Sequence, residues 1–254
     1  MGVLLDDGKY QVLENLLTEP GYTASVCMDV DTRNNYKPLI FNIYSDPDCI
    51  NTFLPLFYNI QKDMCDSFHQ LIPGNRCIMA VFNYYQGTRL GEYIKTIPKH
   101  DYPARALIVG KLLDAALVLY TMPPVFATAA LSPENTIYNK KEETVRFNFI
   151  VRPDKSEFVE DKKLTLLVSY IESAFVKNRF LPEKAVDFLK KIRSGEISGY
   201  VNICSTWRGI SAEAMAQYDA YKKESIFGYA KRSIKRKLKD KKEKKRKKKE
   251  YIPS

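Results

Sequence analysis

The chain has 254 residues, 45% of them hydrophobic and 12% aromatic, which supports a packed core and excludes bulk disorder. Its formal net charge of +10 is local: residues 231–250 hold 14 basic and 3 acidic side chains, and the rest of the chain carries a net of −1. A near-neutral body excludes a generally basic, polyanion-coating fold and confines that attraction to the tail.

In chain order, strand-like runs come first at 22–30, 37–44 and 76–85. Each is rich in β-branched or aromatic residues and bounded by turn formers such as Pro20-Gly21, Asn34-Asn35 and Pro73-Gly74. Between the second and third, Ile50, Phe53, Leu54, Phe57 and Ile60 recur at helical spacing, which predicts a helix over 50–65 with Pro55 tolerated in its first turns. Residues 1–86 therefore read as a β-rich lobe with one helix. Residues 103–120 are apolar almost all round, the mark of a central helix. The uncharged stretch 115–133 is split by Pro123-Pro124, so a buried helix followed by a loop is expected rather than a membrane span. Short strands at 136–138 and 144–151 flank the charged turn 140–143, and helical patterns return at 163–176, 182–194 and 211–223. Residues 87–228 thus read as a helical lobe with a small hairpin. From 229 to 254, Ile234 and Leu238 are too few to bury, which predicts a solvated, disordered basic tail with at most transient helix.

The five cysteines, Cys27, Cys49, Cys65, Cys77 and Cys204, are odd in number and contain no C-x-x-C pair, and only His69 and His100 could supply imidazole. No zinc framework is spelled out, and reduced thiols in a reducing, cytoplasmic compartment are the expectation. The N-terminus has no basic segment leading into an apolar core, and Asp6 stands where a myristoylation motif wants Ser or Thr. Both histidines are expected at the surface. The lone Trp207 is expected in the core, capped by Arg208, rather than as a partner anchor.

Three short motifs, in this order of elements, carry a resemblance to the protein-kinase fold over about residues 9–160. The run CIMAVFNYYQGTRLGEYI at 77–94 is similar to the hinge between kinase lobes. The run ALSPEN at 130–135 resembles the end of the catalytic loop, and VRFNFIV at 145–151 stands where kinases carry Asp-Phe-Gly. The resemblance implies an α+β fold with a small β-rich N-lobe and a shortened helical C-lobe. It also implies where the parts of phosphoryl transfer should be. The phosphate loop would span 16–25, which has one Gly and the acidic Glu19. Asn42 stands for the phosphate-binding Lys, and Gln61 is the nearest in size to the Glu missing from the 50–65 helix. Ala130 replaces the base Asp, Ser132 its following Lys, Asn148 the metal-binding Asp and Ile150 the Gly. Only Asn135 keeps its functional identity. No Ala-Pro-Glu triplet follows, and 152–161 leaves room for only a short activation segment.

What the resemblance implies is a pseudokinase: an inactive protein-binding or scaffold module with no catalytic residue, metal or cofactor. An apolar cleft floor of Leu131, Phe147, Phe149 and Ile150 would fill the site. Taken singly, each motif has an ordinary reading, a strand–turn–helix or a β-turn entry, and an unrelated α+β domain with an antiparallel sheet is the rival. A divergent enzyme with non-standard nucleotide use is a further alternative. It would need carboxylates in the cleft, and Glu134 is the only one in the motifs.

The tail offers Lys231, Arg232, Lys235, Arg236, Lys237, Lys239, Lys241, Lys242, Lys244, Lys245, Arg246, Lys247, Lys248 and Lys249 to an anionic surface. No aromatic is interleaved in 231–250, so base stacking is not indicated. Charge alone suits an anionic membrane or a nucleic-acid backbone equally, and an adaptor whose tail does the binding while the fold only carries it is the alternative function. A degenerate kinase domain beside a basic stretch also resembles the cytoplasmic domain of the bacterial type VII secretion pseudokinase subunit, which implies a place at the inner face of a membrane.

Overall fold

A computed structural model describes residues 3–31, 37–60, 65–153, 160–176 and 178–250. The first lobe is a six-stranded antiparallel sheet in the order β1-β2-β3-β4-β6-β5. Its strands are β1 (Leu4–Leu5), β2 (Tyr10–Glu19), β3 (Tyr22–Asp29), β4 (Leu39–Tyr44), β5 (Phe68–Gly74) and β6 (Cys77–Asn83). Strands β2 and β5 are absent from the sequence-based reading. Polar positions and two register shifts obscure the alternation of β2, and Pro73 obscures β5. Pro20-Gly21 closes the β2–β3 hairpin. Gly21 has φ +75, and a Cβ there would stand 2.5 Å from the Asp46 Cβ, so only glycine fits. The Ser45 N–H donates to the Gly21 carbonyl at 2.9 Å, which ties the hairpin tip to the end of β4.

Helix α1 (Pro47–Tyr58) starts where Asp46 accepts the Cys49 N–H at 3.0 Å, with Pro47 in the first turn. It begins earlier and ends sooner than the expected 50–65, and Gln61 lies outside the described residues. Strand β4 is the pivot of the lobe. Phe41 joins Tyr10, Cys27, Met79 and Val81 on one face, and Tyr44 joins Phe53, Phe57 and Phe82 on the other. Asn42 lies two residues before Tyr44, on that second, interlobe face.

The second lobe is helical: α2 (Leu90–Thr96), α3 (Tyr102–Ala116), α4 (Pro124–Leu131), α5 (Glu160–Ala174), α6 (Glu183–Arg193), α7 (Tyr200–Lys222) and α8 (Ile226–Glu250). A three-stranded sheet, β7 (Thr88–Arg89), β8 (Thr136–Asn139) and β9 (Thr144–Phe147), in the order β7-β8-β9, joins the hinge to the hairpin. Gly87 makes that junction possible, because a Cβ would stand 2.5 Å from the Tyr138 carbonyl oxygen. The expected loop after Pro123 is instead α4, whose side chains are buried from Val125 onward. Proline is at home in a first turn, so the Pro pair starts a helix there as readily as it ends one. Helix α7 also begins about three turns before the predicted 211: Tyr200, Ile203, Cys204 and Trp207 are buried at i, i+3, i+4 and i+7, a helical spacing that the sequence-based reading passed over.

Arg105 on α3, 4% exposed, is a staple that the sequence does not announce. Its guanidinium donates to the carbonyls of Ile94, Ile97, Pro98, Ser173 and Ala174, closing the ends of α2 and α5 onto α3. Trp207 is buried between Phe175 and Phe188, as expected. Arg208 does not cap it. Its guanidinium pairs with Asp114 at 2.5 Å, because helical geometry points successive residues in different directions. Both histidines are exposed, and all five cysteines are free thiols. Burial pushes the Cys27 thiol up to about 12 and Cys65 up to about 11, so both stay protonated and unreactive near neutrality.

The tail is not a disordered arm: Ile226–Glu250 is one helix. Its start is docked on the C-lobe. Arg232 lies 3.4 Å from the Tyr221 ring centroid, donates to Glu224 at 2.9 and 3.0 Å, and reaches the Arg179 carbonyl at 2.8 Å. One turn on, Arg236 faces Glu183 at 4.0 Å. Composition showed a run of like charges but not that two of its arginines have acceptors waiting on α6 and after α7. Among the described residues, no helix is long and apolar enough to cross a membrane.

Candidate functional site: an interlobe cleft closed by asparagines

The cleft between the lobes is where the kinase resemblance locates chemistry. Its floor is the segment 148–151, which follows β9. The backbone of this segment has no strand partner, so its polar groups need others. Three asparagines supply them, all essentially buried: Asn42 at 0%, Asn135 at 0% and Asn148 at 3% exposure.

Asn42 reaches down from β4. Its Nδ2 donates to the Phe149 carbonyl at 2.8 Å, and its Oδ1 accepts from the Val151 N–H at 2.8 Å and from the Tyr22 hydroxyl at 2.7 Å. Asn135 reaches from the turn after α4. Its Oδ1 accepts the Ile150 N–H at 3.2 Å, and its Nδ2 donates to the carbonyls of Ile150 at 3.1 Å and Ala129 at 2.7 Å. The Asn135 backbone carbonyl accepts the Asn148 N–H at 2.8 Å, and the Tyr44 hydroxyl donates to the Val151 carbonyl at 2.5 Å. The two lobes are therefore stitched to one short segment from both sides.

Asn148 faces the hinge. Its Oδ1 accepts the Tyr85 N–H at 2.8 Å and its Nδ2 donates to the Tyr85 carbonyl at 3.2 Å. One primary amide thus saturates the donor and the acceptor of a single hinge residue, as a planar heterocycle with adjacent donor and acceptor atoms would. Beside it, Phe149 stacks on Phe82 at 5.0 Å and 17°, and both are buried.

The chemistry of the asparagine side chain explains this. A Lys offers only donors and a carboxylate only acceptors, whereas an Asn side chain offers one of each, like the peptide group it binds. Asn at these positions is therefore suited to satisfying backbone, and the neutral amide avoids the cost of burying a charge. Ala130 is fully buried and contributes only its carbonyl, which accepts from the Thr136 hydroxyl at 3.0 Å. Glu134 faces Arg152 at 3.7 Å, outside these clamps. Ser132 Oγ is buried with no partner among the described residues. The expected phosphate loop at 16–25 is a plain hairpin with the two-residue Pro20-Gly21 turn.

The structure thus brings Asn42, Asn135 and Asn148 to one segment but gives them separate partners. Asn42 serves Phe149 and Val151, and Asn148 serves the hinge. Of the expected apolar floor, Leu131, Phe147 and Phe149 are buried and Ile150 is half-buried. The sequence-based reading missed Tyr22, Tyr44 and Tyr85 as members of the clamp. The first two were legible only as strand residues, and Tyr85 acts through its backbone, which no side-chain motif reports. Next to the hinge, a cavity of about 440 Å³ opens between α3, β9 and residues 65–67. Its mouth has mixed charge, with Lys111 bonded to the Glu143 carbonyl and Arg146 lying 5.6 Å from the Tyr85 ring.

No family model matches the chain, and no curated protein matches it. Among solved structures it is similar to the crystal structure of Rad53 1-466 in complex with AMP-PNP, with a TM-score of 0.53 at 11% identity. The match covers 79% of this chain and 66% of that one, so the chain spans just under two thirds of its solved neighbour. At that identity the likeness is one of fold, and it agrees with the curled sheet, hinge and helical lobe described above: the chain has a two-lobed, protein-kinase-like fold.

Proposed function

We propose that this chain is a catalytically inactive, kinase-like protein-binding or scaffold module whose nucleotide cleft is occupied by its own side chains. The observation that carries the reading is the Asn148 amide, which holds both the N–H and the C=O of Tyr85. A ligand reading the hinge backbone must first break both bonds and unstack Phe149 from Phe82. Supporting it, the positions implied for Lys, base Asp and metal Asp hold Asn42, Ala130 and Asn148; the amides of Asn42 and Asn148 bond backbone groups, and Ala130 has no polar side-chain atom. Phosphoryl transfer depends on a cation at the phosphates and carboxylates on the metal, and none of these three side chains supplies either.

The neighbour was solved with AMP-PNP, and a working kinase-like site in this chain would be expected to respond to ATP. The test is thermal unfolding of the full chain with and without millimolar ATP and Mg²⁺. The expected result is no change in midpoint. Ligand at 100 times its dissociation constant adds about 2.7 kcal/mol, a rise of several degrees in a chain of this size. A Mg²⁺-dependent rise of that order, or phosphotransfer abolished by Asn135→Ala, would sink the proposal.

The partner of such a module is another protein, in a reducing compartment suited to five free thiols. The basic helix α8 adds attraction to anionic surfaces, screened within about 8–10 Å at cellular salt. That role is separable from the cleft, because the docked end of α8 meets Arg179, Glu183, Tyr221 and Glu224, not the residues that clamp 148–151.

A further inference from the structure

Helix α8 divides its residues by face. Arg232 and Arg236, four apart, are turned to the C-lobe, where Glu224, the Tyr221 ring and Glu183 receive them. On the other side, Phe227, Ile234 and Leu238 stand at spacings of seven and four, which at about 3.6 residues per turn is one stripe. They are 87%, 60% and 55% exposed. Ala230 lies in the same stripe. Lysines border it on both sides, Lys231 and Lys235 along one edge and Lys237 and Lys241 along the other, all exposed.

We infer that this face of α8 lies flat on an anionic lipid surface, with Phe227, Ile234 and Leu238 at the acyl boundary and the bordering lysines on the headgroup phosphates. The inference rests on the anion-seeking role given to the helix above and narrows it to a bilayer. A nucleic-acid backbone rewards charge, and a solvent-facing row of Phe, Ile and Leu gains nothing from phosphates. An interfacial helix rewards both together: an apolar stripe buried below the headgroups and flanking cations held in a negative surface potential. Docking by Arg232 and Arg236 gives the arrangement its direction. The helix is held to α6 and α7 by the face that carries the arginines, so the stripe points away from the body and the C-lobe rides on the membrane.

The experiment is co-sedimentation of the full chain with vesicles of phosphatidylcholine alone, or of phosphatidylcholine with about one third phosphatidylserine, at physiological salt. The chain is compared with the triple variant Phe227→Ser, Ile234→Ser, Leu238→Ser, which keeps every charge. Heparin binding is followed in parallel as a lipid-free polyanion. The expected result is binding to the serine-containing vesicles only, weakened about tenfold or more in the triple variant, with heparin binding unchanged. Since the substituted side chains are exposed, an unchanged unfolding midpoint verifies that the variant is folded. Phe227→Trp gives an independent readout, because its emission should shift to the blue on anionic vesicles while the buried Trp207 stays constant. Equal vesicle binding by wild type and triple variant, or no blue shift, overturns the proposal. Heparin binding without vesicle binding overturns the membrane assignment and leaves the anion-seeking arm standing, with nucleic acid as its target. Failure to bind either sinks both.

Discussion

The cleft floor and the tail helix handle polarity in opposite ways. At 148–151, neutral amides with almost no exposure meet the donors and acceptors of the backbone from both lobes. Along α8, Lys231, Lys235, Lys237 and Lys241 stand exposed with full charges, while Arg232 and Arg236 are drawn into partners. The difference teaches that burial selects for groups that satisfy a peptide without a net charge, while exposure lets charge accumulate at little cost to folding. A kinase cleft in use would require the reverse at its centre, with a cation and carboxylates kept available for phosphate and metal.

That contrast can be broken experimentally. The largest effect is expected for Asn42→Leu, which leaves the Phe149 carbonyl, the Val151 N–H and the Tyr22 hydroxyl without their partner. A loss of about 3–5 kcal/mol, or a midpoint lowered by about ten degrees, follows from several buried groups losing hydrogen bonds at once. Next is Asn148→Asp, which removes the donor to Tyr85 and sets an acceptor against a carbonyl, for about 2–3 kcal/mol at neutral pH in a denaturant titration. A carboxyl so placed titrates above its unfolded value. The penalty relative to wild type should therefore shrink as pH falls and the acid protonates, and grow as pH rises through the folded value. A penalty independent of pH would mean that the side chain had turned out to water.

Gly87→Ala tests whether the clamp needs the close approach of hinge and hairpin. The added Cβ would meet the Tyr138 carbonyl at 2.5 Å, and a loss of about 1–2 kcal/mol is expected, with hydrogen exchange at Tyr85 accelerated. The smallest effect belongs to Arg232→Ala, which gives up the ion pair with Glu224, the hydrogen bond to the Arg179 carbonyl and the Tyr221 ring contact at the edge of the C-lobe, for about 1 kcal/mol. Limited proteolysis after α7 should accelerate in that variant while the unfolding midpoint of the body holds. If Arg232→Ala cost as much as Asn42→Leu, the tail would be part of the core and the contrast between the regions would fail.

Much of the frame was legible in the sequence. β-branched and aromatic runs marked β3, β4 and β6, an all-round apolar stretch marked α3, and the order of these elements with the ALSPEN and VRFNFIV motifs carried the kinase resemblance. What escaped has physical reasons. Strand β2 mixes inward and outward residues across two irregularities, and α4 hides behind a proline pair. Arg105 looks like any charged residue on a helix until the carbonyl ends of α2 and α5 are found around it. Asn42 and Asn148 could be named from the sequence only as stand-ins for a Lys and an Asp that the resemblance implies, and Asn135 only as the position that keeps its identity.

The sequence by itself determined that asparagine amides, rather than charged groups, stand at 42, 135 and 148, because residue identity sets donor, acceptor and charge irrespective of context. It determined likewise that the positive charge is confined to the last twenty or so residues. Only the tertiary structure decided what these asparagines do. Hydrogen bonds between residues about a hundred positions apart, such as Asn42 to Phe149 and Val151, depend on lobe packing that no local pattern encodes. The same holds for α8, where the chain lists arginines and lysines alike. The placement of Glu224, Tyr221 and Glu183 turned two arginines inward and left the apolar stripe with its lysine borders facing out.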